Sequence, residues 1–463
     1  MLWLALAGCA WKPDETNRGK VGFVQGFLGG VVADEPRAAL VGREILSAGG
    51  SAADAAAATY FALAVTLPSS ATLGGGGVCL VLDPAREKVE MLDFAVPAPK
   101  PAAGPAAAAV PMNARGLFVL HSRYGRLKWE RLATPAANLA RFGVPLSRAL
   151  ARDLAQAGAV LRQDAPARRI FFRSDGTAPL GEGERLTQVD LAAMLDRIRT
   201  QGPGDMYVGA GARDLAQAYR TAGFALERGT LSESVPVWRE PMVQSIENSG
   251  RRANAYFTPP PAVAGSVAGR IVAALADKDR YARAGANERA AMFVEAGRRA
   301  LSAENLPMPT AASAAASFVA ADREGQVVAC AVTPNQPFGS GRIAPGTGIL
   351  IAAPPAFGAR GPALLAAMIV DSRDRAGAVF AAASGGEASA FAMAQAAAAT
   401  MFEGRLLEDA LAQARLMPVG SAGGAPHEGI VNALACPGGL RENPQTCSLR
   451  PDPRGLGLAA MSD

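Results

Sequence analysis

The order of segments from residue 31 to residue 67 limits the folds open to this chain. Val31-Val32-Ala33 is a short β-prone run, and Asp34-Glu35-Pro36 has the acidic residues and the proline typical of a helix start. That helix ends at Ala48-Gly49-Gly50. Ser51 can cap a second helix that ends before Pro68. We therefore predict two adjacent helices packed on a sheet.

A run of four glycines, Gly74 to Gly77, leads into the strand-like segment 78–82. Glycine-rich turns can hold a phosphate, but neither the Lys-Ser/Thr of a P-loop nor the GxGxxG spacing is present. Close packing of backbone against backbone is the simpler interpretation, because glycine has no Cβ.

Composition excludes several classes of function. The 463 residues are 50% hydrophobic and 19% charged, as in a soluble globular protein, and the net charge is only +5. Arg and Lys are scattered singly, so no nucleic-acid partner is expected. The two histidines, His121 and His427, are far apart and there is no CxxC motif. We expect no metal site, no Ser-His-Asp triad and no cofactor.

The first residues form an apolar run ending in Leu6-Ala7-Gly8-Cys9, similar to the lipobox of bacterial lipoproteins, although the basic region before it is missing. Residues 1–29 are interpreted as a signal-like segment and linker. We expect a periplasmic or membrane-anchored lipoprotein held through Cys9, or a cytoplasmic protein if this segment is not a signal. In an oxidising compartment Cys436 and Cys447 can form a disulfide. Cys79 and Cys330, in apolar runs, are predicted to be buried hydrophobic residues.

The middle of the chain is predicted to be mostly helical, from Arg115 to about Gly229, after a Pro/Ala-rich irregular stretch at 83–112. Helix from about residue 281 gives way to an Ala/Ser linker ending near residue 316. The hairpin that follows pairs 318–321 with 326–332 around a polar turn.

A second turn is a candidate oxyanion-binding site. Ser384-Gly385-Gly386 lies between a strand ending near Ala381 and a helix predicted from Glu387 to Met401. Free N–H groups at such a turn can stabilise an oxyanion, although the same sequence also occurs in plain tight turns.

Long segments resemble the γ-glutamyltransferase family, the N-terminal-nucleophile hydrolases that cleave glutathione and related γ-glutamyl amides. The segments are residues 33–70 with LGGGGVCLV, LHSRYGRLKWERLATPAANLARFGVPLS, QVDLAAMLDRIRTQGPGDMYVG, and NQPFGSGRIAPGTGIL with ASGG. The resemblance covers about residues 30–435. It implies an α/β fold, a four-layer αββα sandwich, made of a large-subunit-like region (30–314) and a small-subunit-like region (315–463).

In this family the precursor cuts itself, and the new N-terminal Thr attacks the γ-glutamyl carbonyl. The family's Thr stands seven residues before the Asp that begins the hairpin turn, here Asp322, so the aligned residue is Ala315. Ala316 and Ser317 take the positions of the family's next Thr and His. Because a methyl group cannot attack a carbonyl, we predict neither self-cleavage nor γ-glutamyl transfer from Ala315.

Ser313 and Ser317 are the possible substitutes. Each is two positions from residue 315, so in a strand each would share its face but lie roughly 7 Å away. Nucleophilic attack tolerates only about 1 Å of misplacement. A register slip or a bulge would be needed to restore either serine, and Thr310 is farther still. A small-residue linker before a strand is the simpler interpretation.

The resemblance also implies losses in the substrate pocket. Ala95 stands where the family has the Arg that binds the substrate α-carboxylate. Ala352–Ala356 corresponds to the family's Asn and Asp region, and Leu364–Ala367 corresponds to its paired serines. Some residues of the family pattern remain, and folding alone can require them. They are Thr333, Asn335, Gly339 and Ser384-Gly385-Gly386.

Two hypotheses follow. The first is a non-catalytic homologue with a binding or structural role, with a small γ-glutamyl-like molecule as a possible ligand. The alternative is an active γ-glutamyl hydrolase or transpeptidase that uses Ser313 or Ser317 as nucleophile.

Overall fold

The computed structural model describes residues 29–96, 106–107, 109–248, 251–276, 280–304, 313–355, 364–372, 377–418 and 429–462. The lipobox-like segment and Thr310 lie outside these ranges. The strands are β1 (Gly29–Ala33), β2 (Gly76–Asp83), β3 (Lys88–Phe94), β4 (Ala106–Ala107), β5 (Val144–Pro145), β6 (Arg185–Leu186), β7 (Phe224–Ala225), β8 (Val237–Arg239), β9 (Met242–Asn248), β10 (Arg251–Phe257), β11 (Ala314–Asp322), β12 (Val327–Asn335), β13 (Ile343–Ala344), β14 (Ile349–Leu350), β15 (Leu365–Ser372), β16 (Gly377–Gly385), β17 (Ile430–Ala435), β18 (Ser448–Arg450) and β19 (Leu458–Ser462). The helices are α1 (Pro36–Ser47), α2 (Ala52–Thr66), α3 (Asn113–Tyr124), α4 (Trp129–Phe142), α5 (Arg148–Leu161), α6 (Ala165–Phe171), α7 (Val189–Gln201), α8 (Gly209–Thr221), α9 (Arg228–Glu233), α10 (Val263–Leu275), α11 (Arg280–Arg283), α12 (Ala286–Ala303), α13 (Ser389–Met401) and α14 (Leu407–Ala412).

Two antiparallel sheets form the centre of the molecule. The first has seven strands in the order β19-β1-β11-β12-β2-β3-β8, and the second has six in the order β18-β17-β16-β15-β10-β9. One face of each sheet meets the other sheet in an apolar layer that includes Leu80 and Val319 from the first sheet and Ile369 and Ala381 from the second. The outer faces pack against helices, α1 to α3 on the first sheet and α10 and α13 on the second. The predicted four-layer αββα sandwich is confirmed.

The first two helices begin where the sequence predicts. Glu35 caps α1 by accepting a hydrogen bond from the Ala38 N–H at 2.9 Å. Ser51 and Asp54 form a reciprocal capping box at the start of α2, which is buried along its whole length. The cap residues therefore fix where each helix starts on the first sheet.

The glycine run packs as predicted, backbone against backbone. A Cβ atom added to Gly75 would lie 2.3 Å from the Thr333 carbonyl oxygen, and one on Gly77 would lie 2.6 Å from that of Ala331. Glycine is therefore required for β2 to run this close to β12.

The sequence-based description is wrong or incomplete at three points. Strand β3 lies inside the stretch 83–112 that was expected to be irregular, and the hairpin of β9 and β10 was not predicted. Strand β11 already begins at Ala314, so the interpretation of Ser317 as part of a linker is wrong. The run of small residues at the start of β11 hid this strand, because alanine has low β-propensity.

Two disulfides cross-link the fold. Cys436 and Cys447 are bonded, as expected, and are 11 positions apart. Cys79 and Cys330 are fully buried, as expected, but they are also bonded to each other across the facing strands β2 and β12. The Cys79–Cys330 bond could not be predicted from the sequence, because the two cysteines are 251 positions apart and meet only when β2 pairs with β12. Among the described helices, none is both long and apolar enough to cross a membrane.

Candidate active site

Ala315 lies against the glycine turn of the second sheet. A Cβ atom added to Gly385 would lie only 2.2 Å from the Ala315 Cβ, and the Ser313 carbonyl oxygen lies near Gly386. Strands β11 and β16, from opposite sheets, therefore meet at the aligned nucleophile position. We call Ala315, Thr333 and the 384–386 turn the candidate site. The structure brings these residues together, and the side chain at position 315 is a methyl group.

A bulge in the first sheet borders Ala315. Ala314 pairs with Asn335 and Ala316 with Val332, so two residues of β12 face one residue of β11. The extra residue is on β12, which means that the bulge does not shift Ser313 or Ser317 toward position 315.

Thr333 stabilises this bulge with its hydroxyl group. The hydroxyl donates to the Ala314 carbonyl and accepts from the Asn335 N–H at 2.8 Å. Asn335 has a left-handed backbone, with φ of 69°, and its side-chain amide donates to the Ala353 carbonyl at 2.7 Å. Both side chains are thus bonded to backbone groups that hold the bulge.

The glycine turn also forms hydrogen bonds with neighbouring backbone carbonyl groups. The Ser384 hydroxyl donates to the Ile430 carbonyl at 2.7 Å, which joins β16 to β17. The Gly386 N–H donates to the Leu364 carbonyl at 2.9 Å. One of the N–H groups that the sequence offers as an oxyanion donor therefore already has a backbone acceptor.

Ser317 is 1% exposed and faces the second sheet, as expected for a residue two positions from Ala315. Its hydroxyl lies 3.4 Å from Asp34 Oδ2 and accepts a hydrogen bond from Asn432 Nδ2 at 2.9 Å. Buried and bonded on both sides, this hydroxyl is held away from solvent. Ser313 is half-buried and precedes β11.

Sequence reasoning missed the roles of Asp34 and Asn432. Asp34 was interpreted as part of a helix start, but Glu35 alone caps α1, and the Asp34 carboxylate turns toward Ser317 and Asn432. Burial raises the pKa of Asp34 to about 7, although hydrogen bonds from Ser317 and Asn432 act in the opposite direction. No local signal could reveal this contact, because Asn432 comes 398 positions later.

The Asp93 carboxylate connects the backbone of Ala95 to a cation, Arg239. The Ala95 N–H donates to Asp93 Oδ1 at 3.1 Å, and Arg239 Nε donates to Asp93 Oδ2 at 2.8 Å. Arg239 pairs with Met91 across β3 and β8, so it projects from the face of β3 that meets the second sheet. Ala95 itself supplies no charge.

The remaining pocket positions are apolar where the structure describes them. Ala352 and Ala353 are 0% and 3% exposed, and Leu365 to Ala367 belong to buried β15. Ala356 lies outside the described residues.

His121 has a structural partner. Its Nδ1 lies 2.9 Å from Asp54 Oδ1 next to the α2 capping box, whereas His427 lies outside the described ranges. In the part of the chain that the structure describes, no three His, Cys, Asp or Glu side chains gather as metal ligands.

Comparison with known proteins shows the family of this chain. A sequence model described as gamma-glutamyltranspeptidase matches residues 38–306, which is more than half of the chain. The chain belongs to the gamma-glutamyltranspeptidase family. The glutathione hydrolase proenzyme of Pseudomonas aeruginosa is 34% identical over 266 residues, covering 52% of this chain and 44% of that protein. The chain thus matches less than half of that relative's length.

Two solved structures show how far the family fold extends. Helicobacter pylori gamma-glutamyltranspeptidase superposes with a TM-score of 0.54 at 26% identity, over 62% of this chain and 84% of that chain. Cephalosporin acylase from Bacillus halodurans superposes with a TM-score of 0.74 at 19% identity, over 97% of this chain and 99% of that chain. The second likeness concerns the fold alone.

Proposed function

We propose that this family member is a non-catalytic binding or structural homologue whose chain stays uncut. The observation that carries the proposal is the Ala315 methyl group packed against Gly385, where the family places its nucleophilic hydroxyl. Without that hydroxyl neither acyl transfer nor self-cleavage has an attacking atom.

The neighbouring hydroxyl groups support the proposal. Ser317 is buried and hydrogen-bonded to Asn432, and Thr333 donates to a backbone carbonyl. Moving either hydroxyl to position 315 would break these bonds and leave buried polar groups without partners, at about 1–3 kcal/mol for each group.

The ligand proposed for the site is a small γ-glutamyl-like amide that lacks the charged α-amino and α-carboxylate groups. Ala95, Ala352 and Ala353 offer no side-chain partner to an amino-acid head group, and transferring such a charged group from water would cost several kcal/mol. Thermal-shift titration with glutamate, glutathione and a neutral N-acyl amide compares their affinities. We expect the neutral amide to bind more tightly than glutamate. A larger shift with glutamate than with the neutral amide would contradict it.

The intact mass of the purified chain, measured under denaturing conditions after prolonged incubation at neutral pH, tests the uncut state. We expect no cut in the segment 310–318. Two fragments divided there would contradict the proposal, and the new N-terminus would identify the nucleophile. The Ala315→Thr variant is the matched comparison, because it places the family's nucleophilic side chain at this position.

The second candidate function, an active hydrolase, has one observation in its favour. Ser313 is half-buried rather than enclosed, and its carbonyl oxygen lies beside Gly386. If Ser313 is the nucleophile, hydrolysis of γ-glutamyl anilides will be lost in Ser313→Ala and kept in Ser317→Ala. Absence of turnover in the unmodified chain excludes this function for those substrates.

Export to the periplasm, with membrane anchoring through Cys9, is our proposed location. The two disulfides support it, because disulfides persist mainly in oxidising compartments. Cell fractionation of the native chain and of Cys9→Ala tests the anchor. Recovery of both chains from the cytosol would contradict the proposed location.

A further inference from the structure

A buried polar cluster joins the two sheets next to the candidate site. Asp34, directly after β1, accepts hydrogen bonds from the Ser317 N–H at 2.7 Å and from Asn432 Nδ2 at 2.6 Å. Asn432 Nδ2 also lies 2.9 Å from the Ser317 carbonyl oxygen. Asp34 is 7% exposed, and the other two residues are exposed by 1% or less. Three strands from both sheets, β1, β11 and β17, thus meet at one carboxyl group.

No cation accompanies this carboxyl group among the described residues. Strands β11 and β17 contribute only neutral groups to it. On the side of α1 the neighbouring charged residues are Glu35, which is buried and caps the helix, and Arg37, which is exposed.

The segment after β18 brings a second carboxylate toward Asp34. This is Asp452, whose negative charge disfavours ionisation of Asp34. Asp452 is itself paired with Arg415 and Arg454, so those two cations already interact with another acid. Asp34 therefore bears its charge in an apolar layer without an ion pair of its own.

We propose that Asp34, Ser317 and Asn432 form a pH-sensitive latch between the two sheets, closed when Asp34 is protonated and weakened when it is ionised. The amide oxygen of Asn432 has no partner in the structure, so the cluster has an unused acceptor near the carboxyl group. A neutral Asp34 still accepts from the Ser317 N–H and from Asn432 Nδ2 through its carboxyl oxygens, so protonation removes the buried charge without breaking these bonds.

The direction of the pH effect follows from proton linkage. Burial raises the pKa of Asp34 from its ordinary value of 3.8 to about 7, so the folded state binds the proton more tightly than the unfolded state. The stabilisation is complete below the unfolded pKa and is lost as the pH rises through the folded pKa. Stability therefore falls between about pH 4 and pH 7 and then becomes constant.

The latch lies on the strands that carry the candidate site. Ser317 is two positions from Ala315, and Asn432 pairs with Ala383, two positions from Gly385. Ionisation of Asp34 is expected to loosen β11 and β17 first, so the candidate site becomes more mobile near neutral pH. This consequence does not depend on the function proposed for the site.

The test compares the unmodified chain with Asp34→Asn, which cannot ionise, in urea unfolding from pH 4.5 to pH 8.5. The ratio of their unfolding equilibrium constants cancels the effects of other buried acids such as Glu35. We expect the unmodified chain to lose at least tenfold in relative stability between pH 5 and pH 8, with a limit of about 10³-fold from the two pKa values. Asp190→Asn, at an exposed position in α7, is the control and should give a ratio independent of pH.

A ratio for Asp34→Asn that is constant within about twofold over this range would overturn the latch. If Asp34→Asn does not fold, Ser317→Ala replaces it, because removing a hydrogen-bond donor weakens the ionised form selectively. Its destabilisation must then be larger at pH 8 than at pH 5. Equal destabilisation at the two pH values would refute the proposal, and backbone hydrogen exchange in β11 and β17 at both values locates the change.

Discussion

The Cys79–Cys330 disulfide is expected to contribute more to stability than any other single cross-link in the described structure. It joins β2 to β12 in the interior of the first sheet, and both cysteines are fully buried. The bond closes a loop of 251 positions, whereas Cys436–Cys447 closes one of 11. The two loops do not overlap in sequence, so their effects can be measured separately.

The magnitude follows from the entropy that each loop removes from the unfolded chain. The chain-entropy relation gives about 5.5 kcal/mol at 25 °C for the 251-position loop and about 2.8 kcal/mol for the 11-position loop. A chain of 463 residues unfolds with an entropy near 1 kcal/mol/K. Loss of the long-range bond should therefore lower Tm by about 6 °C, and loss of the short-range bond by about 3 °C.

The assay compares the double variant Cys79→Ala/Cys330→Ala with Cys436→Ala/Cys447→Ala in calorimetry and in urea. Removing two buried sulfur atoms adds a packing cost at the first site, so the unmodified chain is also unfolded in a reducing agent. The reduced chain keeps every side-chain atom and isolates the effect of the cross-links.

Two results would refute this reasoning. The first is an equal loss of stability in the two double variants. The second is a reduced chain as stable as the oxidised one, which would show that the cross-links do not restrict the unfolded state.

Three further substitutions test contacts in the first sheet and in the helix α2 packed on it, by urea unfolding. Thr333→Val should cost about 1–3 kcal/mol because the Asn335 N–H loses its acceptor, whereas Thr333→Ser should retain most of the stability. Gly75→Ala should cost at least about 2 kcal/mol because its Cβ would lie 2.3 Å from a carbonyl oxygen, whereas Gly204→Ala, with open space around it, should be nearly neutral. Asp54→Ala should cost at least about 3 kcal/mol because the carboxylate accepts hydrogen bonds from three backbone N–H groups and from His121. A cost below about 0.5 kcal/mol for any of the three would contradict the contact on which it rests.

Local chemistry was enough to predict the first two helices and the main hairpin. Helix α2 illustrates this, since Ser51 and Asp54 are three positions apart and their capping box depends on that spacing alone. The turn after β11 is similar, because Asp322 accepts hydrogen bonds from the N–H groups of Glu324 and Gln326. Such contacts connect near neighbours and leave a pattern in the sequence.

Contacts between distant residues left no such pattern. The Cys79–Cys330 bond and the contact between Asp34 and Asn432 both depend on strand order, which is decided by the packing of the whole sandwich. The strand start at Ala314 was missed for a different reason. Its alanines fit a layer in which β11 lies very close to β16, so packing rather than β-propensity selected them.

The polar residues that the resemblance assigns to the candidate site have structural roles in this chain. Thr333 bonds to the backbone on both sides of the bulge, Asn335 ties β12 to the Ala353 carbonyl, and Ser384 ties β16 to β17. Each would be costly to lose from a folded chain even if no reaction took place. Ala95 and Ala315, which the resemblance aligns with the family's carboxylate-binding Arg and its nucleophile, have side chains that form no such hydrogen bond. The proposed non-catalytic role therefore rests on two observations, the structural hydrogen bonds of Thr333, Asn335 and Ser384 and the methyl groups at the aligned positions 95 and 315.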